Sequence, residues 1–192
     1  MSALITCLRM RYRPKRILLL FVAESPPAPT AGEERFFYNA KLESSDFMYR
    51  SMMEAVFPRF RFRRGEKNTW LRKFQQRGCF LIDATDHPVN RVSETDRESI
   101  ILSGRKRTLL KIRKLTAPNT PIVLIKKNIF VLFNRPLLRT EHNVIHTSFL
   151  PFPAYGNQKK FVTACRECLR KILTLNAASH RTRESRRRWA PR

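Results

Sequence analysis

Glycine is scarce, only 5 in 192 residues, and no self-similar period is visible, which disfavours repeat architectures, collagen-like fibres and flexible glycine-rich linkers. Cysteine is scarce too. Cys7, Cys79, Cys165 and Cys168 are too few and too scattered for a disulfide framework in a chain that can build its own core, so a reduced, intracellular protein of the cytoplasm or nucleoid is the simpler expectation. The one run resembling a targeting segment, Ile17-Leu18-Leu19-Leu20-Phe21-Val22-Ala23, is too short to span a bilayer. Polar and proline-rich residues follow it at once, so a buried strand is preferred to a signal-peptide core and no membrane partner is expected. Acidic residues are the last shortage: 15 Asp+Glu face 39 Lys+Arg, for a net charge of +24 and a pI near 11.2.

What is present is apolar material. Hydrophobic residues make up 42% of the chain and aromatics 10%, with 14 Phe, enough to bury an ordinary core in one domain. An excess of positive charge on a compact chain is usually neutralised by an anionic partner, nucleic acid being the commonest. The plainer alternative is a solvated cationic surface, or one that meets ribosomes or anionic membranes without a dedicated site. From His180 onward six Arg and one Glu contribute +5, leaving +19 of the +24 on the body. The expected organisation is a basic lead-in over 1–15, one α/β domain over 16–176, and an Arg-rich, disordered tail over 177–192.

Patterning predicts the elements. Strands are expected over Arg16–Ala23, Cys79–Ile82, Pro121–Ile125 and Val144–Leu150. Helices are expected from a cap at Ser44 or Ser45 to Phe57, over Asn68–Arg77 with Gly78 as a left-handed stop, and from a capping box at Ser93 and Asp96 to about Leu115, with Gly104 a candidate interruption. Lys126–Phe133 reads as a short helix and Asn157 to about Leu175 as a closing one. Alternating helices and continuous apolar strands mean a three-layer α/β/α fold around a mainly parallel, four-stranded central sheet. Ligands on such sheets lie at the carboxyl ends of the strands, which directs attention to Glu24–Asn39, Asp83–Arg91, the turn near Lys126, and Pro151–Asn157.

Several side chains on those loops carry chemistry. Glu24 follows a buried strand directly and is placed to act, although capping a helix or pairing with a surface Arg would also explain it. Pro26 and Pro27 remove N–H donors, so this is not a glycine-rich phosphate loop. Phe36-Phe37-Tyr38-Asn39 offers flat faces and an amide suited to stacking a base and reading its edge, or else contributes to the core. Leu150-Pro151-Phe152-Pro153-Ala154-Tyr155-Gly156-Asn157 is rigid and aromatic, fit to wedge into a duplex or line a pocket. Arg105, Lys106, Arg107, Lys111, Arg113 and Lys114 form a phosphate-contacting helix face or a solvated one. Loop His87 is a candidate imidazole or a solvated residue. Cys165-Arg166-Glu167-Cys168 reads as a half-buried helical pair, because no second C-x-x-C or His pair completes a metal site. Neither a metal nor another cofactor is expected.

The order of these segments resembles the uracil-DNA glycosylase superfamily over most of residues 16–175. Ala23-Glu24-Ser25-Pro26-Pro27 is similar to the Gly-Glu-Ala-Pro-Gly motif of its thermostable-type branch, with Glu24 and Pro26 matching. The resemblance implies that Glu24 is catalytic, that Phe37 stacks on an extruded base, that Asn39 or Asp83 reads its edge, and that DNA is the partner in preference to RNA. The departures are equally specific. Phe152-Pro153 stands where the family has His-Pro, Asp83 where it has Asn, and the branch's four-cysteine iron–sulfur pattern is not reproduced. The resulting expectation is a nucleic-acid-binding protein of this fold that excises a base by N-glycosidic hydrolysis. The alternatives are a binding protein that lost the chemistry and an enzyme acting on a small nucleotide-like metabolite.

Overall fold

Two uninterrupted apolar runs form the centre of the molecule. In the computed structural model, which describes residues 3–28, 36–41 and 46–172, Leu19–Ala23 forms β1 and Cys79–Asp83 forms β2, every residue of both being buried. A strand covered on both faces has no solvent side to alternate with, so it reads as a run. β3 is Pro121–Leu124 and β4 the short Asn143–Val144. All pairings are parallel, in the order β2-β1-β3-β4. The architecture is the three-layer α/β/α fold that the patterning predicts.

Strand order decides where a ligand can sit. The chain passes from β1 outward to β2, then back across the sheet to β3 and β4, so the connections diverge between β1 and β3 and open a crevice at their carboxyl ends. Right-handed crossovers put α2 (Phe47–Val56) and α3 (Lys67–Gln76) on one face. The same rule puts α4 (Glu94–Leu115) and α5 (Lys127–Arg139) on the other, where they pack together. A last helix, α6 over 158–172, lies with α2, since Arg166 donates to the Glu54 carbonyl at 2.9 Å.

Several boundaries differ from the sequence expectation. The basic lead-in contains a helix, α1 (Ala3–Arg11), with only Ile5 and Arg9 buried, so no apolar stripe announces it. Strand β1 starts at Leu19 rather than Arg16. Helix α2 is capped by Asp46, whose side chain accepts from the Tyr49 N–H at 2.9 Å, while Ser44 and Ser45 lie outside the described residues. Helix α4 runs unbroken through Gly104, its cap being the expected Ser93, which accepts from the Asp96 N–H. Helix α5 extends past Phe133 to Arg139 and tolerates Pro136 near its end, where the Thr140 hydroxyl reaches the Pro136 carbonyl at 3.2 Å. The fourth strand shrinks to two residues plus an isolated bridge, Ile125 to Leu150, because His146 takes over part of the ladder: its Nε2 accepts from the Leu124 N–H at 2.8 Å. Cys165 and Cys168 are both fully within the core rather than half-buried. The Arg-rich tail lies outside the described residues.

Candidate functional site

The β1–β3 register brings two distant charged residues together at the strand ends. Val22 pairs with Leu124, the Ile125 N–H donates to the Val22 carbonyl, and two residues beyond that pair, past the ends of the strands, stand Glu24 and Lys126. Lys126 Nζ lies 2.6 Å from Glu24 Oε2, and Asn128 Nδ2 lies 2.5 Å from Glu24 Oε1. Both carboxylate oxygens are therefore held from the start of α5, and the group is 9% exposed. The Asn128 Oδ1 accepts from the Ile129 N–H, fixing the amide so that its NH2 points at Glu24.

Lys126 adopts φ 83 and ψ 146, a region populated almost entirely by glycine. Holding a side-chain-bearing residue there costs about 1–3 kcal/mol, a strain that clusters at sites of function. The position is enforced by the Lys126 N–H donating to the Leu150 carbonyl at 2.7 Å, which also brings the Pro151–Asn157 loop beside the crevice. That loop exposes Phe152, and it turns at Tyr155 and Gly156, both with positive φ.

On the far side of β1, a second charge cluster closes the end of β2. Arg9 of α1 reaches Asp83 Oδ2 at 2.6 Å and Asp86 Oδ1 at 2.8 Å, and Lys111 of α4 approaches Asp86 Oδ1 at 3.5 Å. Burial pushes the Asp83 carboxyl up, and the Arg9 charge opposes it. Burial also acts to raise Asp86, but the Arg9 hydrogen bond and the Lys111 charge outweigh it and hold that carboxyl low. Lys111 is pushed down by burial and by Arg9. Arg9 and Asp83 are each under 5% exposed, so removing either leaves a buried charge, at a cost of about 3–5 kcal/mol.

The residues singled out in the sequence therefore separate. Glu24 lies at the crevice and Phe152 on its rim. Asp83 lies one strand over, consumed by Arg9. Phe37 turns inward, packing edge-on against Tyr38, Tyr49 and Phe74 with centroids 4.8, 6.3 and 5.6 Å away. Asn39 sits in a turn and accepts from the Lys41 N–H. His87 is exposed in the β2–α4 loop, its backbone N–H donating to the Thr85 hydroxyl. On α4, Ile101, Thr108 and Ile112 face the core. A helical period of 3.6 puts Lys106, Arg107, Arg113 and Lys114 on the opposite side, all exposed, while Arg105 and Lys111 flank the buried stripe. Among the described residues none of those four exposed cations has a carboxylate within ion-pair distance. Lys111 differs, being engaged by Asp86.

Sequence reasoning pointed to the turn near Lys126 but assigned no role to Lys126, Asn128 or Arg9. The signal that marked Glu24, a charged residue directly after a buried strand, applies equally to Lys126. Among the described residues no group of three His, Cys, Asp or Glu is placed to hold a metal ion, and no helix is long and apolar enough to cross a membrane. The chain is thus an all-parallel α/β protein with a paired carboxylate and ammonium at its topological switch point. In comparison with known proteins, no family model, no curated protein and no solved structure matches the chain.

Proposed function

We propose that this chain binds nucleic acid, DNA in preference to RNA, and takes a nucleotide at the Glu24–Lys126–Asn128 crevice for hydrolysis of its N-glycosidic bond. The observation carrying the proposal is the strained Lys126, held on Glu24 at the switch point of a strongly basic protein. The resemblance of Ala23–Pro27 to the first uracil-DNA glycosylase motif supports the choice of DNA and of this reaction.

The chemistry follows from the pair. With Lys126 seated on it, Glu24 exerts little net field, which suits a resting site better than an acting one. A nucleotide phosphate competes for the ammonium and leaves the carboxylate facing the sugar. As the C1′–N bond breaks, its electron pair departs with the base and cationic character builds on the sugar, which the freed carboxylate stabilises. Water then bonds to C1′ and gives its proton to Glu24, while the departing base takes a proton from solvent. Exposed Lys106, Arg107, Arg113 and Lys114 contact backbone phosphates.

A second reading, a binding protein without chemistry, is favoured by one specific set of observations: Phe152 replaces the motif histidine, Phe37 is in the core, and Asp83 is spent on Arg9. Incubation with uracil-containing single- and double-stranded oligonucleotides, reading alkali-induced scission and gel shift from the same samples, separates the two. Base excision predicts scission that falls at least about a hundredfold in Glu24→Gln with binding kept. Equal scission by parent and Glu24→Gln contradicts the role of Glu24, and a shift without scission for either points to the binding protein.

A further inference from the structure

Away from the crevice, the connection between α2 and α3 gathers aromatic and cationic side chains. From Phe57 to Arg77 eight basic residues face one acid, Glu66. That acid is occupied, accepting from Trp70 Nε1 at 3.2 Å. Arg59, Arg61, Arg63, Arg64, Lys73 and Arg77 are exposed, and none has a carboxylate within ion-pair distance among the described residues.

Two of these cations, Arg59 and Lys73, line an open groove of about 410 Å³ together with Phe57, Pro58 and Trp70. Its walls are flat and apolar: the Phe57 and Trp70 rings lie 5.4 Å apart at 58°, and Phe60 braces Trp70 edge-on at 5.1 Å. Lys73 Nζ stands 4.0 Å from the Trp70 ring centroid and the Arg77 guanidinium 5.5 Å from that of Phe57. The groove calls for a flat apolar group with negative charge on either side. A nucleobase with its flanking phosphates has that form. A lipid surface fits less well, because it takes apolar side chains that protrude, and here the Phe57 and Trp70 rings are half-buried.

We propose that this groove binds an unpaired stretch of nucleic acid, with a base against Phe57 and Trp70 and adjoining phosphates on Arg59, Lys73 and Arg77. This rests on the reading of the chain as a nucleic-acid binder and adds a second contact surface to it. An unpaired strand is specified because a duplex keeps its bases stacked away from such a wall.

Trp70 and Trp189 are the 2 tryptophans, so the full chain carrying Trp189→Phe reports on the groove alone. Oligothymidylate, an abasic strand of equal length and a duplex are titrated while strand anisotropy and Trp70 emission are followed. The groove predicts quenching of Trp70 by oligothymidylate and not by the abasic strand. It also predicts about tenfold or greater loss of oligothymidylate affinity in Lys73→Glu/Arg77→Glu, exposed positions whose variant melts with the parent. If oligothymidylate binds with Trp70 emission unchanged and with the same affinity in the double variant, the groove proposal falls and the nucleic-acid reading stands. Failure of every strand to bind removes that reading and the groove with it. Quenching by anionic vesicles but not by strands overturns the groove's assignment to nucleic acid.

Discussion

Lys126 keeps a backbone conformation that suits glycine, and its side chain supplies the reason: a glycine there could not reach Glu24. The opposite case is Gly78, where the backbone needs glycine and no side chain would serve. Its φ is 73, and a Cβ added there would lie 2.6 Å from Leu18 Cγ and 2.9 Å from Leu18 Cβ. Gly78→Ala therefore meets both left-handed strain and a clash that rotating Leu18 cannot relieve. We predict a loss of about 2 kcal/mol or more, read as a fall in the denaturation midpoint; an unchanged midpoint would show that the α3–β2 turn relaxes freely. At this scale the sequence is legible where a cue is local. Gly78 and Ser93 act as their positions suggest, and Glu24 stands out after its strand. Its partners do not, since Lys126 is 102 residues away and is delivered only by the β1–β3 register. Arg9 and Asp83, 74 residues apart, were hidden for the same reason.

Helices and strands here are tied by buried polar groups as well as by apolar area. Asp46 caps α2 through the Tyr49 N–H, and its other oxygen holds Lys67 of α3 at 2.7 Å, with the Lys67 side chain wholly buried. Asp46→Ala removes a cap and leaves Lys67 facing a lost counter-charge; the expected loss is about 3–5 kcal/mol by chemical denaturation, and a loss below about 1 kcal/mol would contradict this dual role. His146 joins β3 to the loop after β4: Nε2 accepts from Leu124, so the ring proton sits on Nδ1 and is donated to the Ser148 carbonyl at 2.7 Å. Burial holds this imidazole below its ordinary value of 6.5, helped by Lys171 and opposed by the Ser148 bond. A depressed folded-state value means the unfolded chain takes up the proton first. The contribution of His146 is thus full above pH 6.5 and is lost as pH falls from there through the lower folded value. Thermal melts should show stability declining below that pH in the parent and a flatter profile in His146→Gln. Equal slopes would place the acid sensitivity elsewhere. Among elements, the buried strands were legible because burial on both faces leaves a continuous apolar run. Helix α1 was not, because it docks through Arg9 more than through an apolar stripe, and β4 was overdrawn because Ile145, Phe149 and Leu150 mimic a strand that His146 in fact interrupts.

Over the whole molecule, topology singles out one edge of the sheet, and unpaired charge gathers on the outer side of α4 and on the α2–α3 connection. Lys126 and Glu24 lie at the switch point, and the Pro151–Asn157 loop borders it. Exposed Lys106, Arg107, Arg113 and Lys114 line one side of α4 without acidic partners. The fold class could be derived from the chain's alternating pattern, and with it the carboxyl edge at which the Glu24–Lys126 pair lies. The distribution of the +24 charge could not, because composition does not say which cations are spent on carboxylates, as Arg9, Lys67 and Lys126 are. The most direct test of the account is the salt dependence of binding to a labelled DNA duplex, for the parent and for a variant with Lys106, Arg107, Arg113 and Lys114 each changed to Glu. Four phosphate contacts correspond to a slope of log affinity on log salt near about −3.6, so the parent should show a slope at least that steep and the variant a slope shallower by about that amount. Binding that ignores salt, a variant indistinguishable from the parent, or no binding at all would contradict the account.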